Sequence, residues 1–78
     1  DFRVETNNKT HALFVDSGND QVLILSGGAG ASPRGHGTDT NFYVSGTIGS
    51  HGSSVKGTSV FGGDLLVSGA LHSVLGMS

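Results

Sequence analysis

The sequence predicts an all-β protein with little or no helix. Gly supplies 14 of the 78 residues and β-branched residues are frequent, and no long window places apolar residues at helical spacing. Short apolar segments instead alternate with polar residues or end in turn formers, which is typical of strands. The stretch NFYVSGTIGS at 41–50 also returns as DLLVSGALHS at 64–73. A repeated short strand indicates a stacked β-structure.

Residues 1–25 are predicted to form an N-terminal β-strand followed by a strand-turn-strand unit. In DFRVET, Phe2 and Val4 alternate with charged residues, so they should share one face of a half-buried strand. The segments HALFV and VLIL then flank DSGNDQ at 16–21, a cluster of turn formers that includes residues able to adopt a positive φ. Both arms are apolar at successive positions, so we expect both faces to be covered, as in a central strand or at an oligomer axis.

Residues 26–40, SGGAGASPRGHGTDT, carry no large apolar residue and include the single Pro. This Gly-rich composition predicts a surface loop or a crossover between two β sections. A flexible linker is the simpler interpretation of the same composition. A loop of this length in a small ordered unit is uncommon, and where it is ordered it is often a contact surface.

Residues 41–78 are predicted to be a β-repeat segment, with copies at 41–50 and 64–73. A Gly within each copy favours a bend, so Gly46 and Gly69 are predicted to occupy equivalent corners of successive layers. This pattern resembles rungs of a β-solenoid, and a fragment of a β-sandwich stays open as an alternative. Alternation predicts that six apolar residues line the core or an oligomer axis. They are Phe42, Val44, Ile48, Leu65, Val67 and Leu71.

The small size of the chain indicates that it gains stability from partner chains. A chain of 78 residues buries a modest fraction of its surface, and the absence of Cys excludes disulfides as a source of stability. The net charge of −2 and four scattered Lys and Arg residues argue against nucleic-acid binding. Apolar runs are too short to cross a membrane, and no signal-peptide pattern opens the chain. Because the chain begins with Asp1 rather than Met, we expect it to be part of a longer polypeptide.

Candidate catalytic and metal-binding residues lack the spacing that their chemistry requires. The four His residues show no metal-ligand pairing, although one His51 or His36 per chain could form a three-His site on a threefold axis. A calcium site at Asp39 or Asp64 lacks the expected sequence period. Neither a nucleophile elbow nor a phosphate-binding loop occurs, since GSSVKGTS at 52–59 has its Lys in the wrong place. We therefore predict no enzymatic activity and no cofactor.

Two stretches resemble segments of bacteriophage tail-fibre and other virion structural proteins. They are FRVETNNKTHALFVDSGNDQVLIL at 2–25 and SVFGGDLLVSGALHS at 59–73. The resemblance implies a homotrimer of interlaced β-structure in which each chain contributes strands to a shared apolar axis. Together with the repeat, it predicts an intertwined homotrimeric fibre segment of the β-solenoid or β-prism type.

The predicted function is therefore structural, as a segment of a trimeric tail fibre, head fibre or capsid appendage in the virion. Its expected partners are copies of itself, other virion proteins and, in host attachment, a host surface glycan or receptor. The alternative is a carbohydrate-binding or adhesive β-module that contacts a cell-surface glycan through the 26–40 loop and Tyr43. A third possibility is a fragment of a polysaccharide-cleaving spike that uses Asp39 or Asp64.

Overall fold

The computed structural model describes residues 1–27 and 37–75, and in this part it is a helix-free sheet of four strands. The strands are β1 (Phe2–Val4), β2 (Leu13–Asp16), β3 (Gln21–Ile24) and β4 (Phe42–Val44). They lie side by side in chain order, with β1 and β2 antiparallel, β2 and β3 antiparallel, and β3 and β4 parallel. The prediction of an all-β protein is confirmed.

The turn between β2 and β3 is built by the polar cluster that the sequence places there. The Asp16 carboxylate accepts hydrogen bonds from the Gly18 backbone N–H at 3.0 Å and the Asn19 side-chain amide at 2.8 Å. Asp20 adopts a positive φ of 55°, a conformation that Asp and Asn tolerate better than most residues. The Asp1 carboxylate accepts hydrogen bonds from both the backbone N–H and the hydroxyl of Ser17. The turn and the start of β1 are therefore tied together.

This turn is expected to loosen in acid. The Asn19 side-chain amide, followed by backbone N–H groups, lowers the pKa of the Asp16 carboxyl below its ordinary value. Because the folded-state pKa is depressed, the stabilisation is complete above the ordinary pKa and is lost as the pH falls through the lowered value. An NMR titration that follows the chemical shift of the Gly18 amide proton should show its hydrogen bond to Asp16 being lost below about pH 4. Asn19→Ala should raise the pH midpoint of this titration. Equal midpoints in the variant and the unchanged chain would mean that Asn19 does not lower the pKa of Asp16.

The connection from β3 to β4 returns the chain to the same end of the sheet, which a parallel pair requires. The Gln21 side chain, buried at the start of β3, donates to the carbonyl oxygens of Gly37 at 3.0 Å and Thr40 at 2.7 Å. These bonds hold the chain just before β4 against the beginning of β3. Residues 28–36, most of the predicted 26–40 loop, lie outside the described residues.

The core lies on one face of this sheet and is small. Leu23 is fully buried, and it packs with Phe14 and Leu25, with Tyr43 half-buried against them. The strand register explains why these side chains pack together, because Phe14, Leu23 and Tyr43 are lateral neighbours on β2, β3 and β4. The His11 ring contacts Phe14 edge-on, with 4.9 Å between ring centroids.

After β4 the chain folds back on itself in a compact loop, residues 45–57. The Ser45 backbone N–H donates to the Ile24 carbonyl oxygen and the Ser45 hydroxyl to that of Gly27, both at 2.8 Å. Hydrogen bonds among residues 47, 50 and 53 close two successive turns. Gly49 and Gly52 have φ values of 80° and 84°, which suit Gly far better than other residues. The loop therefore lies at the carboxyl ends of β3 and β4.

Candidate interaction surface

The face of the sheet opposite the core is apolar from edge to edge. The register places Phe2 beside Val15, Val15 beside Val22, and Val22 beside Phe42, and the next pairs follow two residues along. Lateral neighbours share a face, as do residues two apart on one strand. The resulting surface, called the apolar face below, consists of Phe2, Val4, Leu13, Val15, Val22, Ile24, Phe42 and Val44.

This apolar face is open to solvent in the single chain. Phe2 and Phe42, on the two edge strands, each keep 59% of their surface exposed. Of the eight side chains, five are exposed and three are half-buried, and none is polar or charged. Leaving a contiguous apolar surface in water costs free energy, and such surfaces are common at interaction sites, so this face is the candidate site.

A groove continues the apolar face at the carboxyl ends of β3 and β4. It has a volume of about 590 Å³. Ile24 and Val44 belong to both surfaces, and Val55 adds a further apolar side chain from the loop. Its walls also contain Val60, several Ser and Thr residues, three Gly residues, His51 and Lys56. The groove is therefore an open, partly apolar extension of the same surface.

Beyond the groove, the chain continues as an exposed segment, residues 61–75, called the tail below. Every residue of the tail is exposed, and none of it is assigned to a helix or strand. Its large apolar side chains are Phe61, Leu65, Leu66, Val67, Leu71, Val74 and Leu75. The single chain thus exposes two apolar elements, the apolar face and the tail.

All six predicted core or axis residues are exposed in the single chain. Phe42 and Val44 are on β4 in the apolar face, Ile48 is 82% exposed in the loop, and the remaining three are in the tail. A position on an oligomer axis stays a prediction for all six. Leu13, Val15, Val22 and Ile24 were not among the predicted site residues, although the unbroken apolar runs in HALFV and VLIL predict apolar side chains on both faces of β2 and β3.

The two glycines predicted as bends lie in different surroundings in the single chain. A Cβ at Gly46 would lie 2.6 Å from both the Cα and the carbonyl oxygen of Gly57, whereas one at Gly69 would meet nothing within 4 Å. Gly46 therefore permits a close approach of two backbone segments. The equivalence of Gly46 and Gly69 as bends in an assembly stays a prediction.

Gly46→Ala is expected to destabilise the loop, because the added methyl group overlaps backbone atoms that cannot rotate away. We expect the free energy of unfolding to fall by about 1–3 kcal/mol, as for other overpacked sites. Gly69→Ala is the matched control and should change the free energy by less than about 0.5 kcal/mol. Urea unfolding followed by circular dichroism measures both. Equal losses in the two variants would place the glycines in equivalent surroundings and contradict the difference seen here.

Other candidate residues do not come together as a site. Within residues 1–27 and 37–75, no group of three His, Asp or Glu side chains is placed to hold a metal ion. His51 lines the groove, whereas His36 lies outside the described residues. Asp39 and Asp64 are exposed on separate segments. Tyr43 packs against the core, which leaves it a poor platform for stacking on a sugar ring.

The described part of the chain contains no helix that is long and apolar enough to cross a membrane. Comparison of the chain with protein-family models, with curated proteins and with solved structures finds no match. The fold and its surface therefore define a small four-stranded β-unit with an open apolar face, and function has to be inferred from that surface.

Proposed function

We propose that this chain is a structural, non-enzymatic segment of a bacteriophage particle, in which three copies associate through the apolar face. The assembly would be an intertwined trimeric fibre of the β-solenoid or β-prism type, in a tail fibre, a head fibre or a capsid appendage. The observation that carries the proposal is the apolar face itself, with eight side chains and no polar group.

The size of the core supports association. In the described residues the buried apolar set is Ala12, Phe14, Leu23 and Leu25, which is little for a chain of 78 residues. Small domains without disulfides need another source of stability, and burial of a large apolar side chain contributes about 1.5–3 kcal/mol. Covering the apolar face with other copies would therefore add more buried side chains than the chain buries alone.

Trimeric symmetry is supported by the resemblance to virion fibre segments, in which each chain contributes strands to a shared apolar axis. Copies arranged around one closed axis would each cover the apolar face of a neighbour. Closed rotational symmetry also buries the same surface on every copy. In the particle, this segment would act as a rigid spacer between other virion proteins and the part of a fibre that reaches a host glycan or receptor.

Sedimentation equilibrium of the full chain tests this proposal. A mass three times that of the chain is expected at high concentration, with dissociation on dilution. A folded species with the mass of one chain at all concentrations would overturn the proposal, and so would a closed dimer.

A further inference from the structure

The apolar face by itself is too small to hold copies of the chain together. Four strands at sheet spacing, each three or four residues long, cover roughly 19 by 12 Å, or about 230 Å² in projection. A stable protein–protein interface usually buries about 800 Å² on each partner. Even when the surface of the protruding side chains is included, the apolar face supplies only part of that area. Another apolar element of the chain must contribute to a stable assembly.

The tail has the chemistry of that element. Its stretch from 65 to 75 contains no Asp, Glu, Lys or Arg, which matches an apolar face that carries no charge. Strand-like alternation in DLLVSGAL would place Leu65, Val67 and Leu71 on one side. Leu66 and Ser68 would then lie on the opposite side. An extended tail would thus present one apolar edge to a surface.

The tail also has the reach to cross the apolar face. Seven extended residues, 65–71, span about 23 Å, whereas the outer strands of a four-stranded sheet are about 14 Å apart. The chain enters the tail at the rim of the groove, because Val60 lines the groove and Phe61 begins the tail. In the single chain the tail is exposed throughout, so it does not cover the apolar face of its own copy.

We propose that the tail of one copy docks across the apolar face and into the groove of a neighbouring copy. This rests on the proposed function, since it names the segment that the neighbouring copy contributes. Leu65, Val67 and Leu71 face the partner's sheet, while Leu66 and Ser68 face away from it. Exchange of tails around a closed ring of copies buries the apolar face, the groove and the tail of every chain together.

Two double variants of the full chain test which segment occupies the face. Leu65→Asp with Val67→Asp places two carboxylates on the inward side of the tail, and Leu66→Asp with Ser68→Asp places the same charge on the outward side. Sedimentation equilibrium should show association weakened about a hundredfold or more for the inward pair, because each buried carboxylate would lack a partner. The outward pair should associate within about threefold of the unchanged chain, since surface changes have small effects.

A cross-linking measurement keeps the test decisive if the inward pair does not fold. The chain has no Cys, so a mixture of a Val67→Cys chain with a Val44→Cys chain contains only those two thiols. A short bis-maleimide should link the two chains at concentrations where they associate, and Leu66→Cys in place of Val67→Cys should link far more slowly. Unimpaired association of the inward pair, or equal linking by both tail thiols, would overturn tail exchange while the proposed trimer stands. A failure of the unchanged chain to associate would overturn both.

Discussion

Leu23→Ala is expected to remove a large part of the free energy of unfolding of the protein. Leu23 has no exposed surface and lies at the centre of the small core, between Phe14 and Tyr43 in the sheet register. Removal of a buried Leu side chain costs about 2–5 kcal/mol, the sum of lost apolar burial and the cavity that remains. Native proteins are stable by only about 5–15 kcal/mol, and a chain with so few buried residues belongs at the low end.

Urea unfolding followed by circular dichroism measures this loss at a fixed protein concentration. Leu66→Ala is the matched control, since it makes the same change at a side chain that is 92% exposed. It should alter the free energy of unfolding by less than about 0.5 kcal/mol. Comparable losses in the two variants would mean that the core does not lie where the structure places it.

Val22→Asp is expected to weaken association of the chain strongly. Val22 lies in the middle of the apolar face, between Val15 and Phe42. A carboxylate covered by another copy would be desolvated without a partner, so association should weaken about a hundredfold or more. Sedimentation equilibrium gives the change directly. The core face should be little affected, because residue 22 points away from Phe14 and Leu23.

Two further variants separate the effect of a charge on the apolar face from the effects of a charge elsewhere and of lost apolar surface. Asn8→Asp adds the same charge at an exposed position outside the apolar face and should associate like the unchanged chain. Val22→Thr keeps the β-branched shape that strands favour but removes apolar surface. Its association should therefore be weaker than that of the unchanged chain and stronger than that of Val22→Asp. Association of Val22→Asp at full strength would exclude the apolar face as the contact between copies.

The first three strands could be predicted from the sequence because their signals are local. Alternation identifies Phe2 and Val4, and the polar cluster at 16–21 specifies the turn through the side chains of Asp16 and Asn19. β4 was found as part of a repeat, yet its second copy at 64–73 is not a strand in the single chain. A strand needs a hydrogen-bonding neighbour, and apolar alternation alone does not supply one.

The groove and the role of Gly46 could not be predicted in the same way. Both depend on how the 45–57 loop folds back, which brings Gly46 against Gly57 further along the chain. The sequence admits either a bend or a close backbone approach at a strand Gly, and only the fold distinguishes them. The sequence predicts that both faces of β2 and β3 are buried. The core face is buried, whereas the apolar face is open in a single chain.

The most direct test of the central claim, that copies of the chain cover the apolar face, is the thiol reactivity of Val22→Cys. Cys is small and apolar enough to keep the surface intact, and the chain has no other thiol. Its reaction with a maleimide should slow strongly as protein concentration rises, whereas Asn8→Cys in an exposed turn should react at a constant rate. A Val22→Cys thiol that reacts at the same rate at every concentration, up to the highest attainable, would contradict the claim.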